Sequence, residues 1–513
     1  MNIKKILFSF GAFSLLLTIS VCGKAQKIHP MTQAMLDGYD ELLKQNPEDW
    51  FTLYERASQY YRLNMYDKAE EDILKAIRYT PAKEKDQLSF EHFLASDIYT
   101  QKGDYQEALR QIDKALEYSP GSYPLLYQKG NICLYLNQTD EARKCFNAML
   151  RLKSRSQEAV FGLAKAAVID GNNSEARSYM EQAEKIDPSN FITYCRIGDL
   201  YADMDEVQNA AANYLSAFSL NSRDERSLTS LLELGRKNYD GVAEALDYAI
   251  SKTSNTVPLY FLKGNIAKNA SRYDDAYEAY KKLLTTTQGN SPEVLLTMAE
   301  ICRDKNSLTE ALGYADRSVA LSPSKDNITL KASIQYDLGS YKLAKSLAEE
   351  ALTYDADNIE AMLIEALSDM ALEEYENAST ILSNALAIDP NDYRLLLLRG
   401  YIADNFKVPG LPGKNDYVRA SNIPVSDDTQ LLYKAISQSL SGKTLDATST
   451  ISPLLEKADK DGDSAYKVAV FYAATGNIEK GREFLNKAKT LGFGNIYLLD
   501  TYSVPLLSVA PLR

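Results

Sequence analysis

The chain has 513 residues, of which 45% are hydrophobic and 25% charged, so it can bury a large core and is not disordered. Its two histidines, His29 and His92, leave almost no room for His-based metal sites or a Ser/His/Asp triad. The formal net charge of −13 argues against nucleic acid as a main ligand, because such a ligand needs dense positive charge along one face.

The first 25 residues have the pattern of a secretory signal peptide. Lys4 and Lys5 precede an uncharged apolar stretch over 6–21, and a small-x-small cleavage site follows at 23–25. The stretch is short for a membrane span of about 20 residues, and no later stretch is apolar enough to span. We therefore expect export across the inner membrane, cleavage after residue 25, a periplasmic location and no transmembrane segment in the mature chain.

Cys22 raises a second possibility for this segment, a lipid anchor. Val21 stands where a lipobox has Gly, Ala or Ser, so the sequence favours cleavage without a lipid anchor.

From residue 50 onward, small residues recur at a fixed spacing. Each one, such as Gly130 or Gly198, is followed twelve positions later by a second small residue, usually Ala, and most steps between units are 33 to 35 residues. The pattern of apolar residues within a unit predicts two amphipathic helices of about a dozen residues joined by a polar turn. Thirteen units start near Trp50, Ser89, Tyr123, Gln157, Phe191, Glu225, Val257, Pro292, Lys325, Ile359, Tyr393, Asp428 and Gly462.

The small residues have a packing reason. Position 8 of a unit should face position 20 where the two helices cross, and a large side chain there would push the helix axes apart. One helix pair cannot bury its apolar faces alone, so neighbouring pairs must stack. The sequence therefore predicts an all-α solenoid.

In this register the repeat resembles the tetratricopeptide-repeat family. That family has a large apolar residue at position 4, Leu-Gly at 7–8, Tyr at 11, Ala at 20, an aromatic at 24 and Ala at 27. The fifth unit has Tyr194, Ile197-Gly198, Tyr201, Ala210, Tyr214 and Ala217 at these places. The resemblance covers about residues 48–491, and it implies a right-handed superhelix of about thirteen helix pairs.

Two units, the sixth and the eleventh, depart from the repeat pattern. Leu232 occupies the close crossing of the sixth unit, and Pro412 replaces the small residue of the eleventh, whose second helix should be short and near 415–421. The stretch 406–428 is either a loop on one rim or a bend of the superhelix. The predicted segments are a signal peptide (1–25), an N-terminal capping helix (26–49), repeats 1–10 (50–392), a degenerate repeat with a Pro/Gly-rich loop (393–427), repeats 12–13 (428–491) and a C-terminal capping tail (492–513).

Catalytic and metal-binding patterns are absent from the sequence. It contains no P-loop, GxGxxG, GxSxG, HExxH or complete EF-hand loop, so we expect no enzyme activity, metal or cofactor. The stretch 459–463 resembles the start of a calcium loop, but Val470 stands where position twelve needs Glu. The mature cysteines have no zinc or CxxC spacing and are expected as buried thiols, with a Cys133–Cys145 disulfide as the alternative.

Aromatic residues at position 5 are the candidate binding feature, because the resemblance places this position on the inner wall of the superhelix. With the neighbouring inner positions 9 and 12, they form a candidate surface for a partner: Tyr54, Tyr61, Phe93, Asp97, Tyr127, Asn131, Phe161, Lys165, Phe261 and Asn265. The rings either hold an extended peptide through apolar contact and backbone hydrogen bonds, or pack adjacent first helices.

These features predict a non-enzymatic protein–protein interaction scaffold of the bacterial cell envelope, which binds partner proteins or extended peptides in a concave groove. The alternative is a glycan-binding helical-repeat protein of the outer membrane, which the single tryptophan, Trp50, and the poor lipobox disfavour. An enzyme carrying repeats would need a catalytic domain, and residues 26–513 leave no uninterrupted stretch of that size. The sequence sets no oligomeric state.

Overall fold

The computed structural model describes residues 30–286, 290–406 and 408–491, and within these ranges every regular element is an α-helix. The chain forms two compact units, whose described parts are residues 30–252 and 253–491. The predicted signal peptide and C-terminal tail fall outside the described residues. The predicted helical fold is confirmed, and it is built from thirteen helix pairs.

The unit over residues 30–252 begins with a single helix, α1 (Pro30–Gln45), which packs against α2. Six helix pairs follow it: α2 (Trp50–Arg62) and α3 (Tyr66–Tyr79), α4 (Lys85–Lys102) and α5 (Tyr105–Tyr118), α6 (Tyr123–Tyr135) and α7 (Thr139–Leu152), α8 (Gln157–Ile169) and α9 (Asn173–Ile186), α10 (Phe191–Asp203) and α11 (Val207–Leu220), α12 (Glu225–Lys237) and α13 (Tyr239–Lys252).

The unit over residues 253–491 contains the other seven pairs. They are α14 (Val257–Asn269) and α15 (Tyr273–Leu284), α16 (Pro292–Asp304) and α17 (Leu308–Leu321), α18 (Lys325–Asp337) and α19 (Tyr341–Tyr354), α20 (Ile359–Ala371) and α21 (Tyr375–Ile388), α22 (Tyr393–Phe406) and α23 (Lys414–Ser421), α24 (Asp428–Leu440) and α25 (Thr444–Lys457), α26 (Gly462–Ala474) and α27 (Ile478–Thr490).

Twelve of the thirteen first helices begin at the residue where the small-residue spacing places the start of a unit. The exception is α4, which begins at Lys85 rather than Ser89 because the extra residues of the second unit add a turn to its first helix. Within each unit of the fold, every helix packs against its neighbours in sequence, and most first helices of successive repeats also touch. Each repeat thus completes the apolar core of the one before it.

The turn between the two helices of a repeat has one backbone conformation. In eleven of the thirteen repeats, position 15 is left-handed: Asn64, Gly103, Asn137, Gly171, Asp205, Ser271, Asn306, Gly339, Glu373, Gly442 and Gly476. In repeat 3, the N–H of Gln138 donates to the carbonyl of Cys133 at 2.8 Å, and the N–H of Asn137 donates to that of Leu134 at 3.0 Å. This pair of bonds is a Schellman motif, which satisfies the last carbonyls of the first helix and reverses the chain.

The close helix crossing depends on a size match between positions 8 and 24. Where position 8 is Gly, an aromatic ring fills the space: a Cβ on Gly130 would lie 2.6 Å from Phe146 Cε1, and one on Gly198 would lie 2.6 Å from Tyr214 Cε1. Gly264 meets Tyr280 in the same way, and Gly400 of repeat 11 meets Tyr417 one position later. The expectation that position 8 is small because of position 20 is therefore incomplete, since the ring at position 24 sets the limit.

Repeats without Gly at position 8 show the complementary choice. They have Ala or Ser there and a smaller, buried residue at position 24: Ala57 with Ile73, Ser96 with Ile112, Ala164 with Met180, Ala299 with Ala315, Ala332 with Ala348, Ala366 with Leu382, Ala435 with Ile451, and Ala469 with Leu485. Position 20 also lies at this crossing, because Ser96 Oγ donates to the Ala108 carbonyl at 2.9 Å.

Repeat 6 does not follow the rule. Leu232 is only partly buried, and Tyr248 at position 24 is 66% exposed. A single residue, Asn238, separates α12 from α13. Helix α13 packs against α11 as well as α12. Its close approach is at Gly241, where a Cβ would lie 2.8 Å from Val207 Cγ1. The shortened turn therefore shifts the contact of the second helix toward the preceding repeat.

Repeat 11 adds a buried ion pair to its helix crossing. Its second helix is short, as predicted, and Asp416 on that helix accepts two hydrogen bonds of 2.8 Å from the Arg399 guanidinium. Arg399 also donates to Ser383 Oγ at 3.1 Å, and the Asp416 side chain is fully buried. The paired charges hold the short helix against α22.

Other residues noted in the sequence have structural roles or are buried. Cys133, Cys145, Cys195 and Cys302 are buried free thiols, as expected. In the calcium-like stretch, Asp461 caps α26 by accepting from the Ser464 N–H at 3.0 Å, and Asp459 pairs with Lys487.

The size match between positions 8 and 24 predicts that a second substitution restores part of the stability lost in the first. We expect Gly130→Ala to destabilise the protein by about 1–3 kcal/mol, because the new methyl group collides with the Phe146 ring. Phe146→Leu alone should also destabilise by leaving a cavity. The double variant should lose less free energy of unfolding than the sum of the losses in the two single variants, since Ala with Leu is the pair found in repeat 10. Urea unfolding followed by circular dichroism measures all three, and simple additivity would contradict the size match.

A matched control is Gly313→Ala in α17. A Cβ at Gly313 meets no atom within 4 Å, so this change should stabilise the protein by about 0.5–1 kcal/mol.

The buried pair of repeat 11 predicts a second outcome. Asp416→Ala should destabilise the protein by about 3–5 kcal/mol, because it leaves the Arg399 charge buried without a partner. The double change Arg399→Met with Asp416→Leu should recover most of that loss, because a well-packed apolar pair can replace a buried ion pair. Thermal unfolding tests this, and an equally unstable double variant would show that the charges themselves are needed.

Candidate peptide-binding face

The first helices of repeats 1–5 form a continuous surface within the unit over residues 30–252. Helices α2 and α4 touch, as do α6 and α8, and α8 and α10. Between α4 and α6, Gln128 Nε2 donates to Thr100 Oγ1 at 3.4 Å. We call the surface formed by the following residues the first-helix face: Tyr54, Tyr61, Phe93, Asp97, Tyr127, Asn131, Lys165 and Arg196.

Tyr54 and Tyr61 mark one end of this face. Both are partly buried on α2 and pack on a core that includes Ile73 and Ile98. The Tyr61 ring centroid lies 5.9 Å from that of Tyr66. Burial and, after it, the Asp97 carboxylate raise the pKa of Tyr61. Asp97 lies on α4, which touches α2.

Asp97 is the unusual charge of the face. It lies on α4, is partly buried, and has no Lys, Arg or His in hydrogen-bond or ion-pair contact among the described residues. Burial raises its pKa to about 6, because the charged form loses hydration without gaining a partner. A carboxylate held in this way can accept a hydrogen bond from an incoming cation.

Phe93, Tyr127 and Asn131 occupy the middle of the face. Phe93 is partly buried and lies one helical turn from Asp97 on α4, packed on the cluster that contains Ile112. Tyr127 is partly buried on α6 and packs on the cluster around Phe146. These rings anchor to the core on one side and leave the other side partly open.

Two predicted rings are corrected, because they are buried. Phe161 is 3% exposed and Phe261 is 5% exposed, so neither can make broad contact with a bound peptide. Phe261 packs edge-on against Tyr280 with ring centroids 5.9 Å apart, and Asn265 Nδ2 donates to the Phe261 carbonyl at 2.9 Å. Both Phe261 and Asn265 belong to the unit over residues 253–491, so they are not part of the first-helix face.

Lys165 and Arg196 supply positive charge at the other end of the face. Lys165 is exposed, and its Nζ lies 5.8 Å from the centroid of the Tyr135 ring. The Arg196 guanidinium lies 4.0 Å from the centroid of the Phe161 ring. Burial lowers the pKa of Arg196, and Tyr127 is the next largest influence, in the opposite direction.

Arg196 was missed by the sequence analysis. It forms no hydrogen bond or ion pair with the described residues, although its guanidinium has five N–H donors. The available signal was its place in the sequence Tyr194-Cys195-Arg196-Ile197, where a charge interrupts an apolar stretch of a first helix.

None of the described residues form a group of three or more His, Cys, Asp or Glu side chains suited to a metal ion. A cavity of about 320 Å³ near the turn of repeat 5 is lined mainly by polar groups, including Asp205, Glu206 and Asn238. Among the helices described, none is long and apolar enough to cross a bilayer.

Family comparisons agree with the fold. One tetratricopeptide-repeat model matches residues 99–167, and a second matches 157–190, 192–224 and 257–289. The chain therefore contains tetratricopeptide repeats, and such repeats support a role as a protein–protein interaction scaffold.

Curated relatives are similar to this chain over about three fifths of its length. A TPR repeat-containing protein of Methanocaldococcus jannaschii is 23% identical over 377 residues, which is 62% of this chain and 65% of that protein. The BBSome complex member BBS4 of Bos taurus is 22% identical over 322 residues, which is 61% of this chain and 59% of that protein. The chain thus spans less than two thirds of the length of these relatives.

Among solved structures, the C-terminal part of a TPR repeat-containing protein from Cytophaga hutchinsonii is similar with a TM-score of 0.37 and 17% identity, over 48% of this chain and 94% of that one. The TPR protein YrrB, described as having an unusual peptide-binding site, is similar with a TM-score of 0.29 and 20% identity, over 38% of this chain and 98% of that one.

Asp97 predicts a pH-dependent stability difference. The native carboxyl has a pKa of about 6, above the unfolded value, so the native state holds its proton longer and stability falls as pH rises from about 4 to 6. Asp97→Asn removes this titration. Because the site is partly solvated, we expect the variant to be about 1–2 kcal/mol more stable at pH 7 and no more stable below pH 4. Urea unfolding at several pH values checks this, and a variant less stable at pH 7 would mean that an ionic partner holds Asp97.

Proposed function

We propose that the chain is a non-enzymatic scaffold that holds an extended segment of a partner protein against the first-helix face. The observation that carries this proposal is a row of partly open aromatic rings on successive repeats, at Tyr54, Phe93 and Tyr127, with polar groups beside each ring. Rings anchored on a core lose little conformational entropy on binding, and they provide apolar contact for a peptide. Asn131 and the neighbouring charges supply hydrogen bonds.

We further propose that the scaffold acts in the bacterial cell envelope. The support is the basic, apolar and small-residue pattern over residues 1–25, which is that of an export signal ending in cleavage. A periplasmic scaffold is favoured over one anchored through a lipid on Cys22, since Val21 departs from the lipobox. Cleavage is tested by determining the first residue of the mature protein by mass spectrometry. A mature chain beginning at Gln26 supports this proposal, and one beginning at a lipid-modified Cys22 would replace it with an anchored scaffold.

The binding surface is tested by a triple variant. Tyr54→Ala, Phe93→Ala and Tyr127→Ala together should lower partner capture from an envelope extract at least tenfold, because the three rings provide most of the apolar contact. Quantitative mass spectrometry of proteins captured by the full chain gives the measurement, and circular dichroism confirms that helicity is kept.

The control removes rings elsewhere. Tyr248→Ala with Tyr354→Ala deletes two exposed rings on second helices, and we expect capture to be unchanged. Capture that survives the triple variant, or that the control abolishes, would place the partner on another surface. Tight binding of an oligosaccharide by the purified chain would instead favour the glycan-binding alternative.

A further inference from the structure

We propose that the first-helix face binds its peptide in one direction, with a Lys or Arg side chain of the peptide at Asp97 and an Asp or Glu side chain at Arg196. This inference rests on the proposed function, because it specifies the peptide that the same face would hold. It assigns a binding role to Arg196, which lies outside the aromatic row.

The Asp97 end is built for a cation. The carboxylate is partly buried, lies one helical turn from Phe93, and has no cationic partner among the described residues. Its helix, α4, touches α2, which carries Tyr61. Aromatic faces attract cations, and a carboxylate adds a charge-assisted hydrogen bond. A Lys or Arg side chain of a peptide would satisfy both groups at once and would restore the interactions that the buried charge lacks.

The Arg196 end is built for an anion. The central carbon of the guanidinium lies 4.0 Å from the Phe161 ring centroid, and its N–H donors form no hydrogen bond with the described residues. Neighbouring acids are already engaged: Glu158 accepts from Tyr123 at 3.0 Å, and Asp199 accepts from Tyr214 at 2.9 Å. A carboxylate from a peptide matches the planar fork of the guanidinium in two parallel hydrogen bonds.

The two ends also fix the spacing. Asp97 is in repeat 2 and Arg196 is in repeat 5, so three repeat steps separate them. Packed helices lie roughly 10 Å apart, which gives a separation of roughly 30 Å along the face. An extended chain rises about 3.3 Å per residue, so about nine residues span this distance. The open rings of Phe93 and Tyr127 lie along this path, where apolar residues of the peptide would contact them.

The test is selection from a randomised library of 14-residue peptides, acetylated and amidated so that neither terminus is charged, on the full chain. We expect selected peptides to share a basic residue and an acidic residue about nine positions apart, always in the same order. Asp97→Asn should weaken a selected peptide at least tenfold and remove the preference for the basic residue only. Arg196→Gln should do the same for the acidic residue only.

Controls separate binding from folding. Asp140→Asn changes an exposed acid on α7 outside the face and should leave affinity and preferences unchanged. Arg196→Lys keeps the positive charge but loses the planar fork, so it should retain a weaker preference for an acidic residue. Thermal unfolding of each variant shows whether it is folded, and a folded Arg196→Lys variant without the acidic preference would refute the role of the charge.

The outcomes distinguish the two proposals. Selected peptides that lose affinity with the alanine variant of Tyr54, Phe93 and Tyr127 but show no charge preference would refute the directional inference and leave the proposed function standing. Peptides with charges in either order would also refute it. If no peptide is selected by the wild-type chain, both proposals fail.

Discussion

The size match between positions 8 and 24 is the constraint on which the rest of the structure depends. The two helices of a repeat cross so closely that the residue on the first helix and the side chain on the second must share one volume. Gly with an aromatic ring and Ala or Ser with a smaller residue are two solutions of this one problem, and every repeat described above except the sixth uses one of them. Because each such pair fills its crossing, the two helices of the repeat pack at a defined distance.

The match also ties neighbouring repeats together. Phe146 fills the crossing of its own repeat at Gly130, and its ring also lies against Gly162 in the first helix of the next repeat. A residue that belongs to the core of one repeat thereby sets the distance to its neighbour. The positions of Tyr127 and Phe161 relative to each other follow from this packing, which is how a core rule reaches the candidate binding face.

Much of the fold could be predicted from the sequence, because the features that define it are local and repeated. The spacing of small residues located the starts of the first helices, and Pro412 indicated the short second helix of repeat 11. Two features of the fold could not be predicted from these local patterns. The 8–24 match requires knowing which side chains share a volume across a turn, and the shortened turn of repeat 6 changes which helix α13 packs against.

The candidate face was only partly predictable for a physical reason. Tyr127 and Phe161 hold the same position in successive repeats, and only the structure shows that the first stays partly open while the second is covered. The cover includes Arg196, a residue of the next repeat at a position that the family pattern does not mark. Burial at one position thus depends on a neighbour about 35 residues away, and a sequence pattern within one repeat does not contain that information.

Two pairs of charged residues contrast in how their charges are balanced. Arg399 and Asp416 are buried together and hold a degenerate repeat in place, whereas Asp97 and Arg196 are partly buried without ionic partners among the described residues. Unpaired, dehydrated charges reduce stability, so natural proteins carry them mainly where a ligand completes them. Their place beside the open rings connects the packing of the repeats to recognition of a partner.

The central claim is that a partner segment lies on the first helices of repeats 1–5. Hydrogen–deuterium exchange of the full chain with and without a captured partner tests it most directly. The account predicts slower exchange in α2, α4, α6, α8 and α10, with little change in the second helices or in residues 253–491. Slower exchange confined to second helices, or to the unit over residues 253–491, would contradict it.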